Sequence, residues 1–335
     1  MSILGRKRWR DVWRNRAAFI AVAVTIGLGV GGFVAARDAY LGLQSSFAKV
    51  YADERFADVV ASGGASTAFA SAATALPGSP LVTVRAQGDV PIRIGDHRLI
   101  GRMVTMPSTG QPEVNRLEVR SGSLSGGGVY VEYHLADHFG LRPGDSVDLL
   151  GEAGWQAEPV AAIVVSPEYL WPARSRQEVA TDPEQFGVVF APAPIAYAIL
   201  PTTLVPQVAL YAGDRAKSSA LVSAARQLAA TTGTDAVSAD SQPSAEALAT
   251  DVDGIGQYAL LFPILFLTAA ALGTYMMLSR LVRAQRATIG TLVACGLSPG
   301  RLSRHFLGLG LMCGSAGAVL GLALGYPVGD WFAGS

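Results

Sequence analysis

Residues 17–36 read AAFIAVAVTIGLGVGGFVAA, twenty positions without a charge. A helix needs about 20 apolar residues to cross a hydrocarbon core roughly 30 Å thick, so this stretch is long enough to span. Residues 258–278 (YALLFPILFLTAAALGTYMML) and 306–328 (FLGLGLMCGSAGAVLGLALGYPV) are equally uncharged. Between the first stretch and the second lie residues 37–257, which are mostly polar. The layout predicts a membrane protein with three transmembrane helices and a large α+β extracytoplasmic domain, made of two α/β subdomains, inserted between helices 1 and 2. The expected segments are a basic cytoplasmic N-terminus (1–16), helix 1 (17–36), the external domain (37–257), helix 2 (258–278), a cytoplasmic loop (279–305), helix 3 (306–328) and an extracytoplasmic end (329–335).

Half of the residues are hydrophobic and 16% are charged, and the apolar excess sits in those three windows. The first window follows a basic run and ends in Val34-Ala35-Ala36, as a signal peptide would. Its length exceeds the 7–15 residues of a signal h-region, so it is read as an uncleaved anchor.

Formal net charge is zero, but its distribution is uneven. Arg6, Lys7, Arg8, Arg10, Arg14 and Arg16 stand against Asp11 alone before the first window. Arg280, Arg283, Arg286, Arg301 and Arg304 stand without any acid between the second and third. Residues 37–253 carry a surplus of acid. Lys and Arg flanks stay in the cytoplasm, which puts the N-terminus and the short loop inside and the large domain outside a bacterial cytoplasmic membrane. Trp9 and Trp13 within the basic run fit interfacial anchoring better than contact with nucleic acid.

The two cysteines, Cys295 and Cys313, fall in the loop and in the third window. The large domain has none, so it must fold without disulfides or a thiolate metal site.

Within that domain, strands are predicted at 58–62, 81–86, 93–94, 99–103, 129–133, 147–150, 160–165 and 208–211. A further strand begins at Arg116 and leads into the turn Ser121-Gly122-Ser123-Leu124-Ser125. An exit helix runs from Asp38 to about Tyr51, and a second helix from Thr67 to Leu76 is closed by Pro77-Gly78. Asp214 caps a helix to about Ala230 whose apolar face is Ala220, Leu221, Ala224, Ala225 and Leu228. Residues 244–257 read as helix without a break into the second window, giving one rod that continues to Arg286.

Gly310, Gly314, Gly317, Gly321 and Gly325 recur at close to helical spacing in the third window, and Gly27 and Gly31 do so in the first. Small residues at that spacing let helix backbones approach. They are read as a lateral packing surface that includes helices other than these three.

Two segments carry a family resemblance. Residues 119–150 (VRSGSLSGGGVYVEYHLADHFGLRPGDSVDLL) place a glycine turn, a strand, a short helix and the turn Leu141-Arg142-Pro143-Gly144-Asp145 before another strand. Residues 286–306 (RATIGTLVACGLSPGRLSRHF) place Arg286, Ile289 and Gly290 before Leu292, Gly296 and Ser298. With the span layout, the chain resembles the FtsX-like, MacB-type permease subunits of ABC transporters. Thr288 stands where that family has an acidic residue, and Val293 where it has a basic one. The family unit also carries a fourth span, so the expectation is either a fragment of a longer permease or a gene whose remainder lies on another chain.

The resemblance implies a cytoplasmic ABC ATP-binding subunit that docks on Arg286, Ile289, Gly290, Leu292, Val293, Gly296, Ser298 and Arg301. It also implies a second permease copy, half or remaining transmembrane helices. Membrane lipid and an external protein or lipoprotein complete the expected partners; nucleic acid is not among them. Apart from the resemblance, the same loop also fits an amphipathic helix on anionic lipid.

No G-x-x-x-x-G-K-[ST] phosphate loop occurs, and Gly213-Asp214-Arg215-Ala216-Lys217-Ser218 lacks the second glycine. The chain is therefore read as a non-enzyme with no cofactor of its own, ATP being bound by the partner. His134 and His138 share a helix face as zinc ligands do, but Leu135 stands where H-E-x-x-H needs Glu, and they are read as solvent-facing. Ser121, Ser123 and Ser125 do not form a nucleophile elbow. Glu168 is read as a strand cap. The expected function is ATP-coupled movement of the external domain, for export or extraction of a lipoprotein, peptide or lipid-like cargo. The alternatives are a mechanotransmitter that regulates a cell-wall hydrolase or senses peptides, and a membrane-anchored binding protein without an ATPase.

Overall fold

The computed structural model describes residues 3–125, 127–172, 182–213 and 215–334. The expected cap Asp214 lies outside the described residues. The chain forms two compact units, residues 46–251 and residues 1–45 with 252–335.

The elements follow in chain order. Helix α1 is Ile3–Arg14 and α2 is Arg16–Asp53; then come β1 (Val59–Ser62), α3 (Ser66–Ala73), β2 (Leu81–Ile94) and β3 (His97–Met106). Next are β4 (Glu118–Gly122), β5 (Val129–Glu132), α4 (Tyr133–Phe139), β6 (Ser146–Gly151), β7 (Gly154–Val165), a 3-10 turn at Pro167–Tyr169 and β8 (Phe186–Pro192). The rest are α5 (Ala193–Ile199), β9 (Val205–Tyr211), α6 (Arg215–Thr232), β10 (Asp235–Ser238), α7 (Pro243–Ala284), α8 (Arg286–Ala294) and α9 (Pro299–Gly334).

In the unit 46–251 the described strands join one sheet in the order β10-β1-β9-β2-β3-β8-β5-β7-β4, with β6 paired to β2 and β7. The long strand β2 connects its two halves. Leu81 to Gln87 pair with β9, whereas Gln87 to Ile94 pair with β3 through the two-residue turn Gly95-Asp96. Gly95 takes φ +58 there, a conformation that suits glycine in a tight hairpin. The two expected subdomains thus share a continuous sheet.

Each half has its own core on one face of that sheet. Val59, Ala61, Val208 and Leu210 pack with Phe69 and Ala73 of α3 and with Leu221, Ala225 and Ala229 of α6. In the other half Ile92, Met103, Val131, Leu149, Ile163 and Val189 pack with Leu135 of α4 and Ile199 of α5. Successive side chains of a strand point to opposite faces, so Val104, Tyr130, Val164, Val188 and Phe190 build a further cluster on the reverse face, with Tyr169.

That reverse face turns polar where β1, β9, β2 and β3 lie side by side. Ser62 is directly opposite Gln207, and Gln207 is opposite Arg85. Directly opposed side chains interact across strands, and here they form a chain of bonds. Gln207 Nε2 donates to Ser62 Oγ at 3.0 Å, and Arg85 Nε donates to Gln207 Oε1 at 3.2 Å. The Arg85 guanidinium then grips both oxygens of Glu168. Glu168 was expected as a strand cap; instead it is one half of a buried ion pair, the two side chains being 8% and 7% exposed. One strand over, Arg102 pairs with the opposed Asp89 at 2.9 Å.

In the other unit three helices are long and apolar enough to cross a membrane: Arg16–Asp53, Pro263–Ala284 and Pro299–Val328. Phe19, Val22 and Ala23 of α2 pack with Leu281 of α7 and with Leu309 and Cys313 of α9. The expected rod is helical from Pro243 through Pro263 to Ala284, but it stops at Gln285 rather than reaching Arg286. Gln285 leaves the helical conformation, at φ −102 and ψ 14.

Candidate functional site

The loop between α7 and α9 is a helix, α8, bounded by two different breaks. At its end, Gly296 adopts φ +86. Its N–H donates to the Val293 carbonyl at 3.0 Å, and the Leu297 N–H donates to the Leu292 carbonyl at 3.0 Å. This pair of bonds is a Schellman motif, which satisfies the last carbonyls of a helix and favours glycine at the left-handed position. Ser298 then stands just ahead of α9, its carbonyl accepting from Arg301 N–H at 3.0 Å. Pro299 is the first residue of α9, where its missing N–H costs no helical bond.

Every expected docking residue therefore sits on α8, its terminal turn or the first turn of α9. Arg286, Gly290, Val293, Gly296, Ser298 and Arg301 are exposed, and Ile289 and Leu292 are half-buried. None of the α8 side chains is buried. An apolar residue as large as Val293 is left 44% exposed, and a β-carbon on Gly290 would meet nothing within 4 Å. The loop thus offers apolar side chains and open backbone among exposed arginines.

The break at the other end is held by residues that sequence reasoning did not connect. Asp11 of α1 is buried and accepts from Gln285 Nε2 at 3.2 Å, while His305 of α9 approaches its other oxygen at 3.6 Å. Asn15 Nδ2 also donates to the Asp11 carbonyl at 3.1 Å. One side chain of α1 thus reaches the residue before α8 and the first turns of α9. Asp11 and Gln285 are separated by 274 positions, and no local pattern joins them. Trp9 and Trp13 on the same helix face outward.

The glycines divide by partner. A β-carbon on Gly317, Gly321 or Gly325 would fall 2.6, 2.7 or 2.8 Å from the carbonyl oxygens of Ala23, Gly27 and Gly31. These three pack α9 on α2 within the chain, so the expected surface for other helices is occupied over most of its length. A β-carbon on Gly310 would lie 3.5 Å from Leu278 of α7, and one on Gly314 would meet nothing within 4 Å. A β-carbon on Gly29 of α2 would lie 3.2 Å from Phe266 Cβ of α7. Within the chain, α2 thus takes up Gly317, Gly321 and Gly325, while Gly314 is left open.

The histidines read as solvent-facing have partners. Glu132 is buried at the start of α4 and accepts from His134 N–H and ring Nδ1, each at 2.8 Å. This hydrogen bond to Glu132 raises the His134 pKa against the opposing effect of burial. His138 lies 3.6 Å from Glu184. Among the described residues no group of three or more His, Cys, Asp or Glu could hold a metal ion.

Residues 260–335 match the family described as FtsX-like permease C-terminal. No curated protein matches the chain. Among solved structures, the extracellular domain of the noncanonic ABC-type transporter YknZ from Gram-positive bacteria is similar at 14% identity. That match covers 52% of this chain and 86% of the other, with a TM-score of 0.35. The periplasmic region of MacB from Actinobacillus actinomycetemcomitans is similar at 10% identity over 55% and 89%, with a TM-score of 0.34.

Proposed function

Taking residues 260–335 as an FtsX-like permease segment, we propose that the chain is the permease subunit of an ABC system and takes its energy from a separate cytoplasmic ATPase. The observation that carries this reading is α8. It is a short exposed helix between two spans inside the matched segment, and both its ends are fixed by specific bonds. A helix with Val293 outward and Gly290 open suits a groove on a partner, because small and apolar residues permit close approach without desolvating charge.

The basic N-terminus and the five arginines around α8 support a cytoplasmic location for both. The acidic unit 46–251 then lies outside the cytoplasmic membrane. Hydrolysis in the partner would push on α8 and move α7, whose helix continues from Ala284 back to Pro243. Lipoprotein, peptide and lipid-like molecules are the cargo classes this reading admits. A second permease copy or further spans would complete the membrane part. No step of ATP chemistry is assigned to this chain.

Purification of the full chain from its native membrane tests the reading. A protein with a phosphate-binding loop should co-purify, and Val293→Asp should release it while leaving the chain folded. Retention of that ATPase by Val293→Asp would argue against docking on α8.

A further inference from the structure

The polar row on the reverse face of the sheet lines a cavity of about 180 Å³. Its walls include Arg85, Arg102, Glu168, Gln207 and Gln242, and the first residues of α7, Pro243 and Ser244, close one side. Glu168, Gln207, Gln242 and Ser244 are all buried residues. Polar side chains are rarely buried unless they are paired, and here four such residues gather round one void.

The pairing accounts for part of their bonding capacity. Arg85 has five N–H donors, of which three are used on Gln207 and Glu168. Glu168 accepts one guanidinium N–H at each oxygen, so each oxygen keeps a second acceptor site. Gln207 is committed at both ends of its amide, to Ser62 and to Arg85, whereas Gln242 is committed only through its donor, to the Ala57 carbonyl. The side chains that line the cavity carry two guanidinium groups and one carboxylate, whereas Asp89, the partner of Arg102, lies outside the lining. With Asp89 counted, the two guanidinium groups are balanced by two carboxylates, of which Glu168 faces the cavity.

Isolated buried ion pairs are poor stabilisers, since desolvation offsets their attraction; an apolar seam would hold these strands at least as well. At about 180 Å³ the cavity is large enough for several water molecules, more room than a simple inorganic anion needs. We propose that this cavity is a binding site for a small α-amino acid. Its carboxylate pairs with the free donors of Arg85 and with Arg102, and its ammonium faces Glu168. The Gln242 amide, bonded only through its donor, meets the remaining polar groups. Pro243 and Ser244 make the ligand a neighbour of the first turn of α7. If α7 transmits force, which rests on the function proposed above, occupancy would bias that helix.

Calorimetric titration of the purified full chain with glycine, L-alanine and L-glutamine tests the site, with propionate and methylamine as single-charge controls. At least one amino acid should bind saturably and more tightly than either control. Arg102→Gln should weaken it by at least about tenfold, the worth of one charge-assisted hydrogen bond. Gln87→Leu alters a half-buried wall residue outside the bonded row. It should weaken binding at an unchanged melting temperature, and it decides the matter if Arg102→Gln does not fold. The site is overturned if no amino acid gives saturable heat, if a single-charge control matches the best amino acid, or if the folded variants bind as wild type. None of these readings depends on an ATPase, so failure here leaves the proposed coupling intact.

Discussion

A β-carbon placed on Gly321 of α9 would lie 2.7 Å from the carbonyl oxygen of Gly27 on α2. Real contacts of that kind do not occur, so the two helices approach as closely as they do only because both positions lack side chains. Lipid supplies no hydrophobic drive between spans, and close backbone packing must hold them together.

Gly321→Leu should therefore separate α2 from α9, at a cost of about 1–3 kcal/mol for overpacking. Gly314→Leu, seven residues before Gly321 on the same helix, meets nothing within 4 Å and should melt as wild type. Thermal unfolding of the two variants in detergent compares them directly. Equal melting temperatures would show that the glycine contact does not hold the helices.

Gly296→Ala should disturb the end of α8 alone. A left-handed conformation costs a non-glycine residue about 1–2 kcal/mol, and Gly296 sits at φ +86. Stimulation of a partner ATPase should fall, while protease resistance of residues 46–251 stays unchanged. A variant with full stimulation would mean that the Schellman turn is not needed for coupling.

The Arg85–Glu168 pair yields a prediction with opposite signs for one change and two. Glu168→Leu alone leaves a buried guanidinium without its partner and should cost about 3–5 kcal/mol. Combining it with Arg85→Met removes the uncompensated charge and should recover most of that loss. Denaturant melts of the three proteins read the difference. Burial, and next the Glu168 carboxylate, also push the neighbouring Tyr169 phenol up to about 12, so Tyr169 stays protonated throughout such melts.

A pH dependence follows from His134. Its pKa is raised in the fold chiefly by the Glu132 hydrogen bond, whereas an unfolded histidine titrates near about 6.5. The folded state thus holds the proton more tightly. This stabilisation is complete below about 6.5 and is lost as pH rises through the higher folded value. Wild type should lose melting temperature relative to His134→Gln as pH rises above about 6.5. Parallel curves would remove His134 as a contributor.

The spans were legible because uncharged windows of that length have few other readings, and residues 17–36 lie wholly within α2. The strand pattern was only partly legible. Strand β2 is interrupted in sequence by Gly88 and Pro91 and reads as fragments. In the fold, Pro91 falls between Gln87, the last β2 residue paired with β9, and Ile92, the first paired with β6. No ladder bond is lost on that edge, so one long strand forms. Strand β8 was missed because Phe186 to Ala191 are buried on both faces, which removes the alternation that marks a half-exposed strand.

In the coupling segment the break at Gly296 and Pro299 was readable from residue type, while the break at Gln285 was not. It depends on Asp11, whose place beside Gln285 and His305 is set by helix packing. For the same reason the glycine row could be recognised as a packing surface but not assigned to α2. Glu168 likewise gave no sign of its partner, since Arg85 lies 83 positions away.

The most direct test is ATP hydrolysis by the partner ATPase reconstituted with the full chain in lipid, comparing wild type with Ile289→Asp and Gly290→Asp. Docking on α8 predicts that both variants fold but lose binding and stimulation together. Wild-type stimulation by both would contradict a role for α8 in coupling.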